Sequence, residues 1–538
     1  MNARHNLLGT GKQDMARMVA ALRHPACYSH VVQDVILLET HISWVILAGS
    51  YAYKIKKPVN LGFLDFSSLA ARRHYCEEEL RLNRRLAPDL YLEVVPVTGE
   101  FDAPRVGGDG PVLEYAVKMR RFAQTALLDA RVAGGTLYST TVDSLARKIA
   151  AFHAAAPNAL TTPGIEPAAG VLPPALENFR QMLPLLESAD DLEALARLRA
   201  WTLAEHRHPA RLLAQRLAEG HIRECHGDLH LGNIVLLDGE PTPFDCIEFN
   251  PALRWMDTMS EAAFPVMDLA AHGRGDLAHV FLDSYLEAGG DYGGIPVLPF
   301  YLAYRAVVRA KISLLRGAQT DVTAQQRQRA VAACRNYMAL AQSYSRPRRG
   351  AVIITHGLSG SGKTTLTQPL IADLGALRVR SDVERKRMHG LPPLARTSSP
   401  VAAGIYTPQA TDRIYTLLCS HARSIVGTGF SALIDATFLK RDQRAMFRKL
   451  AQEMRVPFVI ISANAPQDVL RARLADRAAN GGEASEATLA VLETQIASRE
   501  PLNADELVDA VAVDASADVA AGTRALVSAL RQRLCQPS

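Results

Sequence analysis

The stretch ECHGDLHLGNIV, residues 224–235, packs two histidines, an aspartate and an asparagine into a dozen positions. A metal cluster, an ordinary polar turn and a working loop are the competing readings. A zinc site needs three or four protein ligands, and no third His or Cys stands at suitable spacing from His226 and His230. A polar turn and a working loop remain; in the second, Asp228 and Asn233, five residues apart, are the candidates, and His226 orients the loop. Twelve residues beyond Asn233, the strand-like segment PFDCIEF adds Asp245. The ordered triplet Asp228, Asn233, Asp245 is a far more specific signal than the histidines.

Length and composition bound what surrounds this loop. A chain of 538 residues implies two to four domains. At 48% hydrophobic and 21% charged residues, it can fill several cores. The net charge of +5 is small for this length. It suits anionic substrates such as nucleotides and disfavours long nucleic acid as a partner. Seven scattered cysteines include no C-x-x-C pair, which argues against a zinc framework and for a reducing compartment. The N-terminal MNARHNLLGTGKQDMARMV lacks the apolar core of a signal peptide. No apolar run reaches the ~18–20 residues that span a bilayer. The expectation is a soluble, cytoplasmic protein with no membrane association.

Periodicity divides the chain. Between residues 31 and 121 short strands dominate: VILLET, SWVILAG, AYKIKKPV, YLEVVPV and VLEYAVKM, interrupted by the helical SSLAARRHYCEEELRLNRRL. Beyond residue 122 the pattern turns helical, as in TVDSLARKIAAFHAAA. A polar, Pro- and Arg-rich stretch at 343–350 then precedes an apolar strand. Afterwards AVIITH, ALRVRS, SALIDAT, PFVIISAN and AVAVDAS alternate with helical segments, the signature of a covered parallel sheet. The expected division is a sheet-rich lobe over 1–121, a helical lobe over 122–347 and an α/β domain over 348–538.

The α/β domain opens with GLSGSGKT, Gly357 to Thr364, a G-x-x-x-x-G-K-[ST] loop between a strand and a helix. Its glycines turn backbone N–H groups toward phosphate, and the helix N-terminus adds favourable partial charge. Gly357, Ser359, Gly360, Ser361, Gly362, Lys363, Thr364 and Thr365 are the candidate nucleotide cradle, with the Thr364 hydroxyl a candidate Mg²⁺ ligand. Asp435 ends the strand in ALIDATF, where it either holds Mg²⁺ through water or merely closes the strand. Arg471, Arg473 and Arg477 precede a Gly-rich turn; Arg473 and Arg477 share a helix face, which is either a solvated basic face or, as resemblance to related kinases implies, part of a lid that neutralises phosphate charge. The segment RVRSDVERKR resembles the acceptor-site segment of small P-loop kinases of the polynucleotide-kinase, gluconate-kinase and zeta-toxin-like groups. The resemblance implies that Asp382 is the base facing an acceptor hydroxyl and Arg385 a substrate clamp. Asp382 alternatively caps the next helix.

The loop at 224–235 resembles those of aminoglycoside phosphotransferases, choline kinases and their relatives, with HGD in place of the HRD of protein kinases. The resemblance implies that Asp228 orients the nucleophile and that Asn233 and Asp245 bind metal. It also points to AYK, residues 52–54, as the strand bearing the nucleotide lysine. Ala52 and Lys54 share a face there, and Lys56 is a rival. Glu79 is the preferred partner for that lysine among Glu77, Glu78 and Glu79. The phosphate-covering loop, LAGSYAY, has only Gly49 where protein kinases have three glycines.

Almost the entire chain looks like the bacterial bifunctional proteins that join an aminoglycoside-phosphotransferase-like domain to an AAA-family ATP-binding domain. The implied fold is an α+β protein-kinase-like bilobal domain followed by an α/β P-loop kinase domain. The implied activity is ATP-dependent phosphoryl transfer to hydroxyl acceptors at two sites, with ATP and Mg²⁺ as cofactors. Two alternatives stand beside it. In one, a non-catalytic, ligand-sensing kinase-like domain regulates the P-loop unit. In the other, the P-loop unit is a polynucleotide 5′-kinase or a toxin-like kinase of nucleotide sugars. The acceptors, the coupling between sites and the oligomeric state are open at this level.

Overall fold

The computed structural model describes residues 13–62, 64–165, 171–206, 210–319, 322–397, 404–480, 485–516 and 519–535. The start of the N-terminal segment and the Gly-rich turn at 481–482 lie outside these residues. Two compact units emerge: residues 1–137, 155–168 and 220–261 form one, and residues 138–154, 169–219 and 262–538 form the other.

In the first unit, six antiparallel strands order as β1-β2-β3-β6-β4-β5. They are β1 (Val35–Glu39), β2 (Ser43–Ala48), β3 (Tyr51–Lys56), β4 (Tyr91–Glu100), β5 (Ala103–Val106) and β6 (Val112–Arg120). Only β5 escapes the sequence reading. It is four residues long and its outer face is exposed, so it offers no apolar run to detect. Helix α1 (Leu69–Asn83) starts where the Ser68 side chain accepts the Ala71 N–H, satisfying one free donor of the first turn. Its buried residues include Arg72, Cys76, Glu79 and Asn83. That face is polar, which suits a helix bordering a functional site better than one filling a core.

Residues 220–261 contribute four short strands absent from the sequence expectation, whereas the segment PFDCIEF, expected to be strand-like, has no strand beyond Pro243, and Asp245 sits in irregular backbone. β7 (Ile222–Glu224) pairs with β10 (Trp255–Asp257), and β8 (Ile234–Leu237) pairs with β9 (Glu240–Pro243). Three- and four-residue strands carry too little periodicity to register. Val235 joins a buried cluster with Ala52, Cys76, Tyr91, Val117 and Met119. This packing anchors the segment after Asn233 against the main sheet.

The second unit holds a five-stranded parallel sheet ordered β12-β13-β11-β14-β15. The strands are β11 (Val352–His356), β12 (Ala376–Arg380), β13 (Ser431–Asp435), β14 (Phe458–Asn464) and β15 (Ala510–Asp514), matching the five apolar runs read from sequence. Val352, Ile353 and Ile354 on β11 and Ala432, Leu433 and Ile434 on β13 are fully buried, as befits strands covered on both faces. The α/β fold and the kinase-like sheet lobe are thus both present. Among the described residues, no helix is long and apolar enough to cross a membrane.

Candidate active sites

The P-loop follows β11 directly. Gly357 has φ +146°, and a Cβ there would fall 2.5 Å from the Ala463 carbonyl oxygen, so only glycine fits. Gly362 caps helix α2 (Lys363–Leu374) from a left-handed conformation. The Lys363 ammonium donates to the carbonyls of Gly357 (3.0 Å) and Leu358 (2.8 Å), folded over its own loop. Burial depresses Lys363 to about 8, against the opposing pull of Asp435 and Asp382. Both carboxylates therefore lie within electrostatic reach of the P-loop lysine. The Thr364 hydroxyl donates to Asp435 Oδ2 at 2.7 Å. Thr365 is exposed on the same first turn.

Asp382 lies inside helix α3 (Ser381–Met388), in its first turn; the capping position falls on Arg380. Arg385 is buried, donates to the Ile405 carbonyl at 3.0 Å and stacks 5.0 Å from the Tyr406 ring centroid. Its Nε is buried without a hydrogen-bond partner among the described residues. On helix α4 (Gln467–Asn480), Arg473 donates to the carbonyls of Gly360 (3.3 Å) and Ala515 (2.6 Å), bracing the P-loop from the side. Arg477 is close enough to depress the Lys363 ammonium, whereas Arg471 points away to an exposed pair with Glu493. Sequence reasoning missed Gln495, whose side-chain oxygen accepts the Ser359 N–H at 2.9 Å.

In the first unit the loop at 226–233 is held by its backbone. The Glu261 carboxylate accepts both the His226 N–H (3.0 Å) and the Gly227 N–H (2.7 Å). Gly227 has φ +96°, and a Cβ there would meet the Leu253 carbonyl oxygen at 3.1 Å and Ile247 at 3.2 Å. His226 is buried, and burial lowers its basicity despite the nearby Glu261 and Asp228. As a neutral ring it donates through Nε2 to the Phe244 carbonyl (2.8 Å) and accepts the Asp228 N–H at Nδ1 (3.3 Å). Asn233 Nδ2 donates to the Asp228 carbonyl (3.0 Å) and to Asp228 Oδ2 (3.3 Å). Its amide oxygen is thereby turned away from Asp228.

Asp245 has φ +63°, a conformation that aspartate tolerates better than most residues. Its N–H donates to the Tyr91 hydroxyl at 3.1 Å, and the next N–H, on Cys246, donates to Asn83 Oδ1 at 2.9 Å. The Lys54 ammonium contacts Asp245 and sits 2.8 Å from Glu79 Oε1. Desolvation alone would raise the Asp245 carboxyl, but Lys54, together with Lys56 and His226, holds the group below the ordinary aspartate range. Lys56 lies on the same face of β3 and reaches both Glu79 and Glu248. Glu261, Tyr91 and Asn83 were not found in the sequence. Asn83 left one signal, lying a helical turn beyond Glu79 on the same face.

The two halves also match known families. Residues 64–298 match the phosphotransferase enzyme family, and residues 352–502 match an AAA domain. An uncharacterised protein of Mycobacterium tuberculosis is 30% identical over 493 residues, covering 87% of this chain and 91% of the relative. The chain belongs to that two-domain family. A protein of Mycobacterium bovis matches with the same identity and coverage. As a member joining a phosphotransferase domain to a P-loop kinase domain, the chain is an ATP-dependent kinase. Among solved structures, this family member is similar to a choline/ethanolamine kinase family protein of Mesorhizobium loti, at 14% identity and TM-score 0.35 over 62% of this chain and 99% of that one. It is also similar to a gluconokinase of Sinorhizobium meliloti, at 21% identity and TM-score 0.24 over 35% and 98% of the two chains.

Proposed function

We propose that the chain carries two phosphotransfer sites, each moving the γ-phosphate of ATP to a hydroxyl of a small-molecule acceptor. The supporting observation is that Lys54, Glu79 and Asp245 converge in a unit that also holds Asp228 and Asn233. The reading divides the chain into a sheet-rich lobe (1–121), a helical lobe (122–347) and a P-loop domain (348–538), and places the protein in the cytoplasm.

In the first site, Asp228 accepts the proton of the acceptor hydroxyl and Lys54, steadied by Glu79, grips nucleotide phosphates. Asn233 and Asp245 supply oxygen donors that suit Mg²⁺, since the Asn233 amide nitrogen is already spent on Asp228. In the second site, backbone N–H groups of Gly357–Thr365 and the Lys363 ammonium take the phosphates. The Thr364 hydroxyl and the Asp435 carboxylate, already in contact, present a matching oxygen pair for Mg²⁺. The cation neutralises phosphate charge when bound. Asp382 accepts the second acceptor's proton, Arg385 binds that acceptor, and Arg473 and Arg477 border the transferring group.

One observation favours a second reading, in which the first unit senses nucleotide or ligand without transferring phosphate. β2 and β3 are joined by the tight turn at Gly49–Ser50, and Gly49 is the one glycine available to cover a phosphate there. The test uses the full-length chain with γ-labelled ATP and panels of aminoglycosides, sugars, nucleotides and oligonucleotides. Two transfer products, one lost in Asp228→Ala and the other in Lys363→Ala, support two sites. Turnover that Asp228→Ala leaves wholly intact sinks the first site and favours the sensor.

A further inference from the structure

Lys54 and Lys56 share one buried glutamate, and only Lys54 has a role in the reading above. Both side chains lie on the same face of β3 because strand side chains alternate. Glu79 divides its carboxylate between them, with Oε1 2.8 Å from Lys54 and Oε2 2.8 Å from Lys56. Beyond Glu79 the two part company. Lys54 turns to Asp245, whose side chain is 43% exposed, while Lys56 turns to Glu248, whose side chain is 4% exposed. The Lys56 ammonium also lies 5.0 Å from the Phe66 ring centroid. Placing an ammonium wholly inside a protein is costly unless it is well paired. A completely buried second lysine therefore needs a reason.

Charge bookkeeping supplies one. Two ammoniums face three carboxylates: Glu79, Asp245 and Glu248. If Lys54 is to grip a phosphate and Asp245 a cation, these two must separate. Were Lys54 the sole counterion of Glu79, its single charge would have to serve both that buried carboxylate and the phosphate, and the shortfall would weaken its grip on either. We propose that Lys56 is a fixed counterion that keeps Glu79 ionised and in place, so that Lys54 can exchange Asp245 for nucleotide phosphate. Lys56 is thus a positioning residue, and its role rests on reading this unit as a nucleotide site.

The surroundings fit a fixed partner beside an exchangeable one. Arg254 donates to the Glu248 carbonyl at 3.1 Å and to Glu224 at 3.1 Å, so the backbone carrying Glu248 is braced. Asn83, a turn after Glu79, holds the Cys246 N–H and donates to the Glu79 carbonyl at 2.8 Å. Backbone on both sides of Asp245 is therefore pinned while its carboxylate faces outward.

The test is calorimetric titration of the full-length Lys363→Ala protein, which lacks the P-loop lysine, with a non-hydrolysable ATP analogue and Mg²⁺. Glu248→Gln retains the Lys56–Glu79 pair and should bind within about threefold of that parent. Lys56→Met/Glu248→Met removes both buried charges at similar volume and should bind about tenfold more weakly or worse while still unfolding cooperatively. If that pair does not fold, Lys56→Gln/Glu248→Gln keeps a hydrogen-bonded amide pair and should show the same loss. A folded double variant that binds like the parent overturns the proposal. So does a Glu248→Gln protein as weak as the double variant, which would place the effect at Glu248. A parent that binds no analogue at all brings down the nucleotide reading of this unit, and the proposal with it.

Discussion

In the P-loop half, the groups proposed to take phosphate come from one loop and the first turn of the helix it caps, Gly357 to Thr365. In the kinase-like half, the central contact joins Lys54 to Asp245, 191 residues apart, and Glu79 meets them from a helix between. The P-loop uses backbone N–H groups, which every sequence possesses and which glycine merely frees to turn. The kinase-like site uses buried side-chain charges that must balance one another. A local cradle depends on conformation, whereas a dispersed charge network depends on the tertiary structure that gathers it. The two regions should therefore fail differently when altered.

The widest separation should appear in activity. Asp228→Asn should lower transfer at the first site by about 10²–10⁴-fold, the range for losing a general base, and leave P-loop transfer unchanged. Single-turnover assays with labelled ATP on the full-length chain read each product separately. Loss of both products from one substitution would break the picture of two independent sites.

Stability separates them next. Glu79→Gln leaves two buried ammoniums short of their shared carboxylate, and breaking such a pair costs about 3–5 kcal/mol. Ile354→Ala, at a fully buried position on the central strand β11, removes apolar packing and costs about 2–5 kcal/mol. Urea unfolding should show the Glu79→Gln penalty shrinking when Lys56→Met is added, which removes one stranded ammonium, whereas the Ile354→Ala penalty simply adds to that of Lys56→Met. Simple addition in both cases would mean that the Glu79 penalty is not a charge effect.

The smallest effect concerns a buried acid in the second unit. Asp283 accepts the Arg378 N–H at 2.6 Å, just before the strand end that leads to Asp382. Burial lifts its carboxyl to about 7, only partly offset by Arg378. The folded chain therefore keeps a proton that the unfolded chain has already released. That stabilising contribution is full below about pH 4 and is lost as pH rises through about 7. Asp283→Asn should flatten the fall in melting temperature between about pH 4 and 7. An identical pH profile in the variant would remove Asp283 from this account.

Legibility followed the same division. All five strands of the parallel sheet announced themselves as apolar runs; burial on both faces demands this of the inner strands, and the edge strand β15 is apolar although only Val513 in it is buried. The P-loop spacing was visible because its function is local. In the first unit, β1 to β4, β6 and α1 were readable from alternation and helical period, while β5 and β7–β10 were too short. Of three neighbouring glutamates, the structure sets Glu79, the one expected from sequence, against Lys54. Lys56, a rival to Lys54 on spacing alone, meets the same carboxylate. Glu261, which fastens the loop at 226–227 through two N–H groups, left no local trace.

The sequence by itself determined the two architectures, the phosphate loop and the ordered triplet Asp228, Asn233, Asp245. Each is written in spacing, and spacing survives without coordinates. Only the tertiary structure decided how the buried charges pair: Lys54 with Glu79 and Asp245, Lys56 with Glu79 and Glu248, and Glu261 with the backbone of the loop at 226–227. Such pairings form between distant segments wherever burial makes an unpaired charge intolerable, and no local pattern records which distant partner will answer.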